Sequence, residues 1–155
     1  MQTDARLARM LHILIHMAGM KGPMTSELAG RILDTNPVVV RRMMAGLRDA
    51  GHVVSVKGHG GGWTLSHGLE HITMLDVYRA VGEPRALSIG VTEVAPACLV
   101  EQAVHARMAS ALEEAQALFV SRLGQVTLAD IAADFDAGLL AHGLTQDDAA
   151  AMLER

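Results

Sequence analysis

The stretch from Asp34 to Leu65, DTNPVVVRRMMAGLRDAGHVVSVKGHGGGWTL, limits the available folds more than any other part of the chain. It carries its own punctuation. Asn36 is a good helix N-cap, and Pro37 suits the first helical position, where a missing N–H costs nothing. Gly51 supplies a C-terminal stop. Between them, at about 100° per residue, Val40, Met43, Met44 and Leu47 fall on one stripe, which predicts the buried side of a helix. The opposite side presents Val38, Arg41, Arg42, Ala45 and, at its margin, Arg48. Next, VVSVK alternates as a strand, residues 58–62 turn, and WTL returns as a second strand.

A loop this rich in glycine invites a nucleotide-phosphate reading. Such a loop follows a strand and opens a helix, with GxGxxG spacing or a Lys-Ser/Thr ending. Here it joins two strands and has neither spacing. Taken alone it is a hairpin whose glycines supply positive φ. Placed behind a helix-turn-helix it becomes a wing, able to lay backbone against DNA.

The flanking sequence supplies that context. Residues 4–20 read as a helix opened by Thr3 or Asp4, with Leu7, Leu11, Leu14 and Ala18 on one apolar face and Met10, Ile13 and Met17 on another. A helix apolar on two sides is buried on two sides. Thr25 caps a short helix carrying Leu28, Ala29, Ile32 and Leu33, and the basic-faced helix follows after a sharp connection. That is helix-turn-helix order. Downstream, Thr73 caps MLDVYRAVG, and Pro84 and Pro96 mark a boundary segment. The longest helical pattern runs over residues 97–123, with Val100, Val104, Met108, Ala111, Leu112, Ala115, Leu118 and Phe119 as an apolar ridge. At ~1.5 Å per residue this helix is roughly 40 Å long, more than a small winged domain covers, so its surplus needs a partner, most simply a second copy. Thr127 caps LADIAADF, and TQDDAAAMLER closes the chain.

The expected architecture is mainly α with a small β-hairpin wing. A winged helix-turn-helix domain occupies residues 1–82 and a linker loop 83–97. A dimerisation helix with a following short helix spans 98–132, and a helical tail 133–155. Half of the residues are hydrophobic, enough for a core. Net charge is −4, unevenly spread: residues 1–69 carry +4 and residues 70–155 carry −8. A basic front and an acidic rear suit an oriented nucleic-acid binder. The apolar run MLHILIHMAG is interrupted by His12 and His16 and is too short for a bilayer, and Asp4 is wrong for a signal peptide. The chain is therefore expected in the cytoplasm. No nucleophile elbow, HExxH or paired-carboxylate motif argues for an enzyme.

The segments NPVVVRRMMAGLRDAGHVVSVKGHGGGWTL, ITMLDVYRAVGEP, ACLVEQAV and VTLADI resemble the Rrf-two family of bacterial winged-helix transcription regulators. The resemblance implies a homodimer clasped by the long helix, a palindromic double-stranded operator, a third helix reading the major groove and a wing following the minor groove. Repression is the usual outcome in such families. Cluster-binding members carry three cysteines in the loop before the dimer helix. This chain has Cys98 alone, at the position resembling the last of the three, so it looks like the members without an iron–sulfur cluster and no cofactor is expected.

Arg41 and Arg42 are the candidate base readers, since a guanidinium can offer two donors to guanine. Arg48 extends the basic face, and Val38 either meets a thymine methyl or is simply exposed. Lys57, His59, Gly60, Gly61 and Gly62 are placed for phosphate or minor groove, and Thr25 and Ser26 for phosphate. Trp63 is expected to pack beneath the wing. Cys98, in the first turn of the long helix, is a candidate redox sensor with a lowered pKa; the plainer reading is a small residue packed at an interface. His12 and His16, at i and i+4, share a helix face, but two ligands are too few for a metal shell and both read as ordinary surface or interface histidines. The competing functional reading is a winged-helix module whose basic helix meets an acidic protein.

Overall fold

The computed structural model describes residues 4–85 and 98–153. Most of the 83–97 linker, and Thr3 as a helix cap, lie outside the described residues. The order of elements is α1 (Arg6–Gly19), α2 (Ser26–Ile32), α3 (Pro37–Asp49), β1 (Val53–Val56), β2 (Gly62–Leu65), a 3-10 turn (Leu69–His71), α4 (Met74–Ala80), α5 (Leu99–Gly124), α6 (Leu128–Ala141) and α7 (Gln146–Leu153). The single sheet among these residues is the antiparallel β1–β2 hairpin, with Val53 opposite Leu65 and Val56 opposite Gly62.

Helix α1 starts slightly later than the sequence suggests, with Ala5 at its N-cap. Asp4 still serves the helix end: its Oδ1 accepts the Arg6 N–H at 3.0 Å, and its carboxylate pairs with the Arg6 guanidinium at 2.6 Å. The Arg6 side-chain hydrogen bond, seconded by the backbone one, holds the Asp4 carboxyl below its usual range. Met10, Leu11, Ile13, Leu14 and Met17 are buried, as a two-sided helix requires, whereas Ala18 is exposed rather than part of the apolar face.

The punctuation of α3 is as read from its sequence. Asn36 Oδ1 accepts the Val38 N–H at 2.8 Å, and Pro37 opens the helix. At the other end Gly51 N–H bonds to Arg48 O and His52 N–H to Leu47 O, both at 2.9 Å, the paired bonds of a Schellman stop. Val40, Met43, Met44 and Leu47 are buried. Gly46 lies where α4 crosses: a Cβ there would stand 2.2 Å from the Ala80 carbonyl oxygen, so only glycine permits this approach.

The same cap recurs three times. In α4 and α6, Thr73 and Thr127 form reciprocal capping boxes with Asp76 and Asp130. Thr145 and Asp148 make the same exchange before α7. The first two caps lie side by side, with Thr73 and Thr127 in an antiparallel bridge. Met74 N–H reaches Val126 O at 2.9 Å and Leu128 N–H reaches Ile72 O at 2.8 Å. Ile72 and Leu128 are fully buried, so this seam joins the rear of the chain to the front. Helix α6 runs well past LADIAADF, unbroken through residues 132 and 133, because Gly138 does not interrupt it and the chain turns only at Gly143.

Helix α5 has two different apolar sides. Phe119 packs edge-on against Tyr78 of α4, with ring centroids 5.7 Å apart, Gln116 Nε2 donates to the Tyr78 hydroxyl at 3.1 Å, and Leu123 is buried. Met108 and Leu112 lie toward this side and are half-covered. Phe119 therefore serves an intrachain contact, unlike the rest of the ridge. A rotation of roughly 100° away, Val100, Val104 and Leu118 are 74%, 52% and 62% exposed, with Ala111 and Ala115 exposed between them.

Candidate nucleic-acid interface

The helix-turn-helix is built by α2 and α3. Thr25 caps α2, its hydroxyl oxygen accepting the Leu28 N–H at 3.1 Å. The connection to α3 tightens through Thr35 N–H to Gly30 O at 2.9 Å, with Asp34 at φ 47°, a region that aspartate tolerates better than most residues. Asn36 then opens α3. Its outward face exposes Val38, Val39, Arg41, Arg42 and Arg48, with Ala45 half-buried among them.

The three arginines are not equivalent. Arg41 is ion-paired and hydrogen-bonded to Glu27 of α2, and Arg48 to its neighbour Asp49 at 2.8 Å. Arg42 is exposed and has no ion pair among the described residues. The sequence ranked Arg41 and Arg42 together because helical spacing says nothing of a carboxylate supplied by the preceding helix. With both pairs exposed, each contributes on the order of 0–1 kcal/mol, and a phosphate or base can displace the carboxylate. Arg42 is the guanidinium available without such an exchange.

The wing is fixed at its root and open at its tip. Met24 and Trp63 exchange both backbone bonds at 2.9 Å, which ties the start of α2 to β2. Trp63 packs against the core and its Nε1–H donates to Ser26 Oγ at 3.0 Å. Ser26 is itself buried. Its phosphate-contact assignment is thereby replaced by a structural one: its hydroxyl is committed to the indole because it opens α2 on the inward side. Thr25 remains half-exposed. At the tip Gly61 N–H closes on Gly58 O at 3.0 Å, and Gly58 and Gly60 take φ of 99° and 77°, which favour glycine. Lys57, His59 and Gly60 are exposed, while Gly61 and Gly62 are half-buried. Of β1 only Val53 is buried. Val54 and Val56 stand in solvent despite the strand-like alternation, because a two-stranded wing has no second layer on its outer faces.

At the wing root His52 Nδ1 and His67 Nε2 lie 3.3 Å apart. Burial pushes the His52 pKa down, the Asp76 carboxylate opposes this, and His67 adds to it. The sequence offered no signal for this pairing, since the two residues meet only through the register of the hairpin.

Cys98 is exposed and caps α5, its Sγ accepting the Glu101 N–H at 3.5 Å. An iron–sulfur cluster is held by several thiolates, and this chain supplies one. Among the described residues no three His, Cys, Asp or Glu side chains converge on a common point. The donor set does not fit a cluster ligated within one chain.

Comparison with known proteins gives this geometry a family. Residues 3–134 match the family described as "Rrf2: Iron-dependent Transcriptional regulator". YwnA of Bacillus subtilis (strain 168), which carries the name of an HTH-type transcriptional regulator, is 31% identical over 128 residues, covering 83% of this chain and 95% of YwnA. A solved structure described as that of a DNA-binding protein is 31% identical at a TM-score of 0.63, covering 81% of this chain and 97% of its own. A transcriptional regulator structure from Lactobacillus plantarum shares the fold at a TM-score of 0.73 with 20% identity, covering 91% and 97% of the two chains. No helix among the described residues is long and apolar enough to cross a membrane. With a family match over most of its length and its winged helix-turn-helix in place, the chain belongs to the Rrf2 family and is a DNA-binding transcriptional regulator.

Proposed function

We propose that the chain acts in the cytoplasm as a homodimeric repressor of a palindromic operator, without a catalytic step and without an iron–sulfur cluster. The observation that carries this reading is the outward face of α3, with Arg42 outside any ion pair among the described residues, Arg41 and Arg48 beside it, and the wing bolted to α2 through Met24 and Trp63. Recognition helix and wing thus form one rigid reading head. Arg42, and Arg41 once it releases Glu27, supply paired donors to guanine in the major groove. Val38 and Val39 lie at the front of the same helix, where a thymine methyl would pass. Lys57, His59 and Gly60 follow the adjacent backbone, with Thr25 donating to a phosphate. The exposed Val100, Val104, Ala111, Ala115 and Leu118 side of α5 is covered by the same side of a second copy, which spaces two heads along a duplex. Cys98, exposed at the start of that helix, is positioned to report oxidation to the interface.

Selection of genomic fragments by the purified protein, followed by mobility shifts at several salt concentrations, tests this reading. A single enriched inverted repeat is expected, with affinity falling steeply as salt rises. Enrichment of no sequence above random duplex at low salt would sink it. For Cys98, operator affinity of Cys98→Ser and wild type is compared with and without peroxide; an equal response of both proteins removes the sensor role.

A further inference from the structure

His12 and His16 stand one turn apart on α1; their spacing argues against a closed protein-only metal shell, and the fold adds a geometry suited to an open two-ligand site. Their Nε2 atoms are 2.9 Å apart. Two nitrogens at that separation, each about 2.1 Å from one ion, subtend about 90° at it. That is the cis angle of octahedral or square-planar coordination, whereas a tetrahedral site needs roughly 3.4 Å between the nitrogens. The rings also converge. Their centroids are 4.7 Å apart, while two imidazoles meeting head-on through an N–H···N bond would place them about 5.2 Å apart. The contact is therefore bent away from a head-on hydrogen bond, and its separation is that of two nitrogens cis to one another on a single ion.

The surroundings favour the same use. The His16 ring is half-buried and held edge-on by Phe135 of α6, at 6.4 Å and 72°, so one ligand is already oriented. The histidine pair at the wing root lacks this geometry. His52 and His67 have centroids 5.5 Å apart for a 3.3 Å nitrogen separation, near the ~5.6 Å of a head-on hydrogen bond.

We propose that His12 and His16 form a bidentate site for a late first-row divalent cation of the nickel or copper type, its remaining positions filled by water or an exogenous ligand. In the metal-free protein the two Nε2 atoms are hydrogen-bonded; when the ion binds, the donor ring gives its Nε2 proton to water and takes one up on Nδ1, so that both imidazoles stay neutral and both Nε2 lone pairs face the ion. Affinity rises along the series toward copper, as for any nitrogen site. The site involves neither Cys98 nor the DNA-facing side chains, so it stands or falls separately from operator binding.

Isothermal titration of the untagged, metal-free full-length protein with Ni2+ tests it. One equivalent per chain is expected at micromolar affinity. Each of His12→Gln and His16→Gln should weaken binding by roughly tenfold or more, and His52→Gln should leave it unchanged. His12 is exposed, so its substitution probes the site without disturbing the core. Ni2+ uptake only at millimolar concentration, or micromolar uptake that survives His12→Gln, would overturn the proposal.

Discussion

Leu14 and Val104 are both apolar residues on long helices, yet they live in different worlds. Leu14 is fully buried in a core that α1, α2, α3 and α4 build together with Val53 of β1 and Leu128 of α6, and Val104 is 52% exposed on α5. The head is a finished object: its stripes on α1 and α3 each find a partner within the chain. Helix α5 is finished on one side only, where Phe119, Gln116 and Leu123 meet α4, and unfinished on the other. The difference shows that an apolar ridge by itself does not say whether its partner lies in the same chain. Phe119 found one and Leu118, the next residue back, did not.

Substitutions can break or sharpen that contrast. The largest loss is expected inside the head. Gly46→Val would push a side chain into the Ala80 carbonyl and separate α3 from α4, costing about 3 kcal/mol or more; a drop in thermal midpoint with no change in oligomeric state checks it. On the unfinished side the pattern should reverse. Val104→Glu with Leu118→Glu places carboxylates in the proposed interface and should weaken dimerisation roughly a hundredfold, read by light scattering, while each chain keeps its fold. A wild-type monomer at the same concentrations would remove the contrast.

Arg42→Ala tests the exposed face of the head. It should lose about 2 kcal/mol of discrimination between operator and random duplex, whereas Lys57→Ala should weaken binding to both alike. If Arg42→Ala also weakens both equally, Arg42 is a phosphate contact. The smallest effect belongs to the seam joining the two regions. Thr73→Ala removes the cap of α4 and should cost about 1 kcal/mol. Burial opposes ionisation of Asp76, but the Thr73 hydroxyl and N–H, joined by the charges of His52 and Arg79, outweigh it and hold the carboxyl below its usual value. A depressed carboxyl pKa stabilises the fold above the unfolded value, and that stability is lost as pH falls through the folded one. The gap between wild type and Thr73→Ala should therefore be widest above about pH 4 and narrow in acid. A gap independent of pH would assign the loss to packing.

Local chemistry made the head legible. Thr25, Asn36 with Pro37, Gly51 and Thr73 act within a few residues of themselves, so their cap and stop positions can be read from the chain. The stripe Val40, Met43, Met44 and Leu47 follows from helical period alone. Less legible were features that depend on distant chain. Glu27 reaches Arg41 only because α2 and α3 cross, and Ser26 meets Trp63 only because β2 returns to α2. Helix α6 outran its reading because Gly138, a weak breaker, is tolerated in mid-helix.

The amino-acid order alone determined the caps of α2, α3, α4 and α6, the basic face of α3 and the wing, since each is set by interactions between near neighbours along the chain. Tertiary structure alone decided which arginine of α3 lacks an ion pair among the described residues, which side of α5 is covered, and that Ser26 is internal. Those outcomes depend on distances between elements, and no periodicity encodes them.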